Sequence, residues 1–376
     1  MAKKEIDISG WEPADQKRYK ELTQLVTYYD QLQYIFKIKL NSLYGALLNK
    51  HFRFYDERMG ESTTGTGRAI LRFQCGRTNE LLTGIYDHLG EAILYGDTDS
   101  TYFNSMFGVE AEIWEEDFNT QLDEAVKRAD DIAERVNASY PDFMADSFLC
   151  TGDFRYMVKA AREVVSPRGI FVTPKRYVLW LANLDGKPVD KLKVMGLDTK
   201  KTILPKYIQV ALNDFIERFL KGETWEQLQI DIVAFKNGMH KLDLPELGLP
   251  KGVNNVESYT QIYETSGELD RHTPGHVRAS MLYNQMLIQN DDRTSMKISS
   301  GMKIKVFYLR RPIGKFKSIA LPVDEDVTPE WFKSMNIDVD LQIEKLVDNP
   351  LKNILKAIDK LPPSNQSLFA DSVLEF

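Results

Sequence analysis

Ala92-Ile-Leu-Tyr-Gly-Asp-Thr-Asp-Ser-Thr-Tyr-Phe103 places two short β-forming runs, Ile93 to Tyr95 and Thr101 to Phe103, around Gly-Asp-Thr-Asp-Ser. Aromatic and branched residues favour strands, while glycine and small polar residues favour a tight turn, so the stretch reads as a hairpin with carboxylates at its tip. Two ionised carboxylates about 4 Å apart repel by roughly 4 kcal/mol at an effective dielectric near 20, and such a pair needs a cation or a shifted pKa. The ligands offered are oxygens alone, which suit Mg²⁺ rather than zinc. Asp and Gly are also ordinary turn residues, and taken alone the pentapeptide is equally well a solvated bend.

The rest of the chain supplies the context. Its 376 residues, 43% hydrophobic and 27% charged, suffice for two or three globular domains with real cores. A formal charge of -7 argues against coating nucleic acid with the whole surface, but net charge hides local patches. Cys75 and Cys150 stand in no metal-ligand or redox spacing, which suits a reducing cytosol and two buried packing residues. No apolar run is long enough to span a bilayer, so no membrane partner is expected.

From Pro13 to Asn49, Leu22, Leu25, Val26, Tyr29, Leu32, Phe36, Leu40, Leu43 and Leu47 recur at three- and four-residue steps, the pattern of an amphipathic helix, or two in line. A second stripe, Lys37, Asn41 and Tyr44, projects from one face of its later part. Lysine and asparagine are common on wet helix faces, and that is the plain reading. Against it, Gly45 costs about 1 kcal/mol in a helix, and a glycine beside Tyr44 lets another molecule approach the backbone. Lys37 can then hold a phosphate as a point charge while Tyr44 offers a flat face to a base or sugar.

Beyond the hairpin, Val109 to Ile132 is acidic and helical. Between Asp153 and Lys206 the balance reverses to twelve Lys and Arg against five Asp and Glu, a patch suited to phosphates. Inside it, Phe171 to Ala182 reads as one extended strand carrying Lys175 and Arg176 after Pro174, with a turn at Asp185-Gly186 completing a basic hairpin. Strand alternation would send Lys175 and Arg176 to opposite faces. A lysine-rich edge strand guarding against aggregation is the competing reading. Residues after about 197 read as a separate, mainly helical domain with a second basic segment, Lys297 to Lys317, which a charged β element would also explain. The tail from Leu361 to Phe376 passes from proline and polar residues to spaced apolar ones, as docking segments do.

Three motifs in fixed order, Lys37-Ile-Lys-Leu-Asn-Ser-Leu-Tyr-Gly45, Tyr95-Gly-Asp-Thr-Asp-Ser100 and Lys175-Arg-Tyr177, together resemble family B DNA polymerases, most of all the replicative enzymes of large tailed bacteriophages. The resemblance implies an α+β fold: a fingers remnant over 1-50, a palm with an antiparallel sheet over 51-196, and a mainly helical thumb over 197-376 ending in a clamp-binding tail. It implies that Lys37 and Asn41 meet the incoming triphosphate and that Tyr44 lies beneath the nascent base pair. Asp99 would ligate two Mg²⁺ ions, with Asp97 supporting the site. Lys175, Arg176, Tyr177 and Lys201 would lie against DNA, and Leu368, Phe369 and Phe376 would bind a sliding clamp.

The full family pattern also has a 3′ to 5′ exonuclease and a palm strand bearing Asp-x-x-Ser-Leu-Tyr-Pro-Ser, and neither is found in these 376 residues. The expectation is therefore the C-terminal subunit or fragment of a split DNA-directed DNA polymerase. It would carry out two-metal nucleotidyl transfer to a primer 3′ end with an N-terminal chain that brings the exonuclease and the other palm aspartate. Primer-template DNA, dNTP and the clamp would be the other partners, in the cytoplasm of a host cell. A non-catalytic DNA- or clamp-binding remnant is the alternative.

Overall fold

The computed structural model describes residues 7–200, 202–325 and 327–363. It is a mixed α and antiparallel β protein whose residues divide into two compact units, Met1–Glu110 with Glu134–Lys159, and Ala111–Ala133 with Ala160–Phe376.

The first unit opens with α1, Pro13–Leu47, a single 35-residue helix with Pro13 in its first turn, where a missing N–H costs nothing. The expected apolar stripe forms but finds no core: no residue of α1 is buried, and Leu22, Leu25, Val26, Tyr29, Phe36, Leu40 and Leu43 are all exposed. Helix α2, Glu57–Thr83, is capped by the Asp56 carboxylate, which accepts from the Arg58 N–H, and it ends at Gly84 in the left-handed conformation. The glycine-containing stretch from Gly60 to Gly67 belongs to this helix.

Strands β1, Ile93–Asp97, and β2, Ser100–Phe103, form the expected antiparallel hairpin, with Leu94 bulged out of register. The short α3, Ala111–Glu115, precedes the long α4, Phe118–Phe148. Within the first unit, α4 places Phe143 in a near-parallel stack on Phe73 of α2 at 4.0 Å, and Tyr140 donates to Gln74 at 3.0 Å. Burial pushes the Tyr140 phenol up to about 12, which keeps it a hydrogen-bond donor.

The second unit has two cores. In the first, β4, Arg168–Thr173, and β6, Lys187–Met195, flank the central β5, Arg176–Leu184, and the two-residue β3, Val164–Val165, extends the β4 side. Ile170, Val178 and Val194 face α5, Lys206–Leu220, and α6, Trp225–Met239, through Ile208, Leu212, Leu228 and Ile232. The second core gathers Val277 and Tyr283 with Phe307, Ile319 and Phe332. These come from β7, Leu249–Gly252, with α7, Val256–Ser266, and α8, Gly275–Gln289, then β8, Lys303–Ile313, and β9, Phe316–Pro322, and finally α9, Glu330–Lys333.

The region beyond residue 197 has more helix than strand, and the basic segment Lys297 to Lys317 supplies β8 and the start of β9 in a three-stranded antiparallel sheet ordered β7-β8-β9. Ile304, Val306 and Phe307 turn inward while its cations stay at the surface or on the strand edges, so the charge conceals a core strand.

A buried glutamine joins the two cores. Gln342, in α10, Val339–Ile343, donates to the carbonyls of Leu247 and Val306 and accepts from the Tyr308 N–H. After a single π turn at Glu344–Asp348 the chain enters α11, Asn349–Lys356. The Lys236 ammonium grips both oxygens of Asp348 at 2.9 Å and the carbonyl of Pro363 at 3.0 Å. Elsewhere Asp292 accepts from Trp331, from the Ser295 hydroxyl and N–H, and from Thr294, which holds its carboxyl well below the usual carboxylate range.

Two positions give measurable predictions. Gly196 has a φ of 64°, and a Cβ built there would lie 2.2 Å from the Lys175 carbonyl oxygen, so the β6 end meets the β4–β5 turn only through glycine. Gly196→Ala is expected to cost about 2 kcal/mol or more in urea unfolding, since neither the backbone conformation nor the space admits the methyl. Because Asp292 has a depressed pKa in the fold, its stabilisation is present above the unfolded value of about 3.9 and is lost as pH falls below it. Asp292→Asn should therefore melt below wild type at pH 7, and the gap should close as the pH approaches 2.

Candidate polymerase site

The hairpin of the first unit is held from below by α2. A two-stranded hairpin is marginal in water by itself, so its position depends on these contacts. The buried Asn79 donates to the Ile85 carbonyl at 2.9 Å and accepts from the Ala92 N–H at 3.2 Å, tying the helix end to the start of β1. Gly96 faces Cys75 and Leu71, and a Cβ there would stand 3.4 Å from the Cys75 sulfur. Cys75 Sγ in turn lies 3.3 Å from the Thr101 hydroxyl, and burial pushes its thiol up, so it packs rather than attacks. Cys150, expected to be buried as well, is only half-buried. Across the hairpin Tyr95 stacks on Tyr102 at 5.8 Å.

Asp97 pairs with Ser100, which leaves Thr98 and Asp99 as the two turn residues. The turn is thus centred on Thr98 and Asp99. Thr98 has a φ of 56°, a conformation that costs a β-branched residue of order 1–3 kcal/mol. The Asp99 N–H donates to the Asp97 carbonyl at 2.6 Å and the Ser100 hydroxyl to the same oxygen at 3.1 Å, while the Thr98 hydroxyl donates to Asp97 Oδ1 at 3.0 Å. Asp97 is half-buried, whereas Asp99 is exposed and its carboxylate makes no hydrogen bond or ion pair among the described residues. The donor set is all oxygen and fits a hard divalent cation in kind. It is incomplete in number: among the described residues no three His, Cys, Asp or Glu side chains gather where they could hold a metal ion.

In the same unit, Lys37, Asn41 and Tyr44 occupy consecutive turns of α1, all three exposed. Gly45 has open space where a Cβ would point, so nothing in this chain requires a glycine there.

The second unit carries the basic motif, and here the expectation of one extended strand is corrected. Thr173 pairs with Arg176, and Pro174-Lys175 forms the turn between β4 and β5, with Lys175 at a φ of 63°. Proline followed by a left-handed residue is the type II pattern, which ordinarily takes glycine or asparagine second. Lys175 is exposed at the tip, so strand alternation does not govern it. Arg176 faces Asp198 at 3.7 Å, and Tyr177 is 5% exposed with its ring 5.5 Å from Phe171. The three residues therefore take three roles: tip, sheet-face ion pair and core anchor. Lys201, Leu368, Phe369 and Phe376 lie outside the described residues. Sequence reading missed Asn79, Thr98 and Asp198. For Thr98 a signal existed, since a two-residue hairpin needs a positive φ that threonine resists.

The chain is 29% identical over 355 residues to the DNA-directed DNA polymerase of Escherichia phage RB69, covering 89% of this chain and 38% of that protein. It is 28% identical over 315 residues to the DNA-directed DNA polymerase of Enterobacteria phage T4, covering 78% of this chain and 33% of the relative. DNA polymerase II of Escherichia coli is 24% identical over 251 residues, 66% of this chain and 28% of the relative. The chain thus spans well under half the length of these relatives. The pattern of DNA polymerase family B matches residues 16–271, more than half of the chain and inclusive of all three motifs, and the chain belongs to that family.

Proposed function

We propose that this chain is the fingers, palm and thumb portion of a DNA-directed DNA polymerase, transferring nucleotides to a primer 3′ end together with an N-terminal segment that supplies the other palm aspartate and the exonuclease. The fingers portion covers 1-50, the palm 51-196 and the thumb 197-376. The observation that carries the reading is the hairpin tip, where a restrained Asp97 adjoins an exposed Asp99 carboxylate that has no partner among the described residues. Asp99 and Asp97 offer part of an oxygen shell, and the carboxylates needed to complete it come from outside this chain. Asp99, with Asp97 beside it, would hold Mg²⁺ there, which would supply activation of the 3′ hydroxyl and neutralisation of charge on the pyrophosphate leaving group.

The chain's own residues do the positioning. Lys37 and Asn41 hold the triphosphate along the exposed face of α1, and Tyr44 supports the nascent pair where Gly45 leaves the backbone open. Lys175 reaches primer-template phosphates from its turn, Arg176 and Tyr177 set the strand behind it, and Lys201 adds a thumb contact. The apolar stripe of α1 favours a partner, since long helices owe most of their stability to packing of such a face. That partner is the N-terminal segment. Leu368, Phe369 and Phe376 bind a sliding clamp, and the assembly works in the cytoplasm of a host cell.

Primer extension with the chain alone, with the chain plus an N-terminal polypeptide carrying the first palm motif, and with the same pair bearing Asp99→Ala checks this. Mg²⁺-dependent synthesis is expected from the wild-type pair only, and Asp99→Ala should lower it about a thousandfold, equivalent to about 4 kcal/mol. Robust synthesis by the chain alone would sink the shared site, and full activity of Asp99→Ala would sink the metal assignment. Gly45→Ala should stabilise α1 by about 1 kcal/mol while lowering kcat/KM for nucleotide in the pair. A more stable helix with unchanged kcat/KM would remove Gly45 from the nucleotide surface.

A further inference from the structure

We propose that Asn79 is a positioning residue that imposes the register of the β1–β2 hairpin: the buried amide at its base overrides the local chemistry of the turn in deciding which residues form the tip. The catalytic consequence rests on the polymerase reading, and the structural content does not. The turn that forms is a poor one by local preference. Thr98 has a φ of 56°, and the Asp99 N–H donates to the Asp97 carbonyl, two residues back, at 2.6 Å. A bond from i to i+2 around a positive φ is the rare, strained form of the γ-turn, and a β-branched residue suits that φ badly. Two residues earlier the chain offers Gly96-Asp97, and glycine at the first central position is what a type II′ hairpin turn takes. A hairpin free to choose would turn there, pairing Tyr95 with Thr98, whereas the structure pairs Asp97 with Ser100.

The base of the hairpin shows what overrides that preference. Asn79 is 2% exposed and has its whole amide engaged: it donates to the Thr83 hydroxyl at 3.1 Å and the Ile85 carbonyl at 2.9 Å, and accepts from the Ala92 N–H at 3.2 Å. Ala92, fully buried, accepts in turn from the Asn104 N–H at 2.9 Å. The residue before β1 and the residue after β2 are therefore held opposite each other beside that amide, and the observed register continues from them, with Ile93 facing Phe103. A turn at Gly96-Asp97 would carry Asn104 out of reach of Ala92. Further up, Gly96 pairs with Thr101 over α2, where a Cβ on Gly96 would stand 3.4 Å from the Cys75 sulfur and that sulfur lies 3.3 Å from the Thr101 hydroxyl. The same pairing thus fits the helix surface. In the alternative register Asp99 would leave the tip for the second strand, so the lock at the base decides whether that carboxylate projects from the end of the hairpin.

Asn79→Ala removes the lock, and Thr98→Gly removes the resistance of the turn to the observed register. On the full chain, selectively labelled for nuclear Overhauser contacts, wild type and Thr98→Gly should show the Gly96–Thr101 cross-strand pair. Asn79→Ala should lose that pair and gain contacts between Tyr95 and Thr98, and the double variant Asn79→Ala/Thr98→Gly should recover it. In the assembled polymerase, Mg²⁺-dependent extension should fall about a hundredfold in Asn79→Ala and return to within about fivefold of wild type in the double variant. A side chain that only stabilised the fold would show no such rescue, because the glycine restores no contact that Asn79 makes.

Retention of the Gly96–Thr101 pair in Asn79→Ala, or extension by the double variant no better than by Asn79→Ala, would overturn the proposal. Should Asn79→Ala fail to fold, Gly90→Ala tests the same lock, since a Cβ there collides with the Asn79 amide, and the same loss and the same rescue by Thr98→Gly are expected. If the wild-type assembly extends no primer, the polymerase reading falls, and the cross-strand contacts of the chain alone still decide the role of Asn79.

Discussion

The hairpin at Ile93–Phe103 has only one partner strand for each strand, too little for it to hold its own shape in water. Its support comes from one side-chain amide: Asn79, buried near the end of α2, bonds to Ile85, Thr83 and Ala92 and leaves neither end of its amide unused. Burying such an amide is favourable only when its groups are satisfied, so the same condition that lets Asn79 be inside fixes where β1 begins. Gly90 and Gly96 then allow the chain to lie close to Asn79 and Cys75, and the tip aspartates project from a base whose position α2 determines. A buried amide thus sets the direction of the tip carboxylates.

Residue type revealed most where local preference and tertiary need coincide. The α1 stripe, the Asp185-Gly186 turn and the β1–β2 hairpin all follow from periodicity and turn chemistry, and the structure has each of them. The turn at Pro174-Lys175 was hidden because lysine is not a residue that ordinarily takes a left-handed conformation. The β8 strand was legible as a charged β element, though not its core side, since a lysine stem can cover apolar surface while its charge stays wet. At the candidate site the identities of Asp97 and Asp99 were legible, but their unequal restraint was not. It depends on the turn falling at Thr98-Asp99 and on a hydroxyl whose partner spacing alone does not name.

The two basic features of the chain answer to different physics despite similar composition. In the β4–β5 turn the cation stands at a strained tip, with Tyr177 buried behind it and Gly196 pressed against its carbonyl, an arrangement that costs conformational freedom. In β8 most of the residues between the cations are core, and Arg310 is balanced by Asp340 at 3.2 Å. Positive charge in the second unit is therefore partly the tip of a strained turn and partly the solvated exterior of an ordinary sheet, and burial separates them.

The ion pair of Lys236 with Asp348 also holds the carbonyl of Pro363, and both side chains are largely shielded from water. Three oxygens from distant parts of the second unit thus converge on one ammonium. Removing that single charge would leave a shielded carboxylate and a carbonyl without their shared donor, so the closure of this part of the fold rests on one side chain.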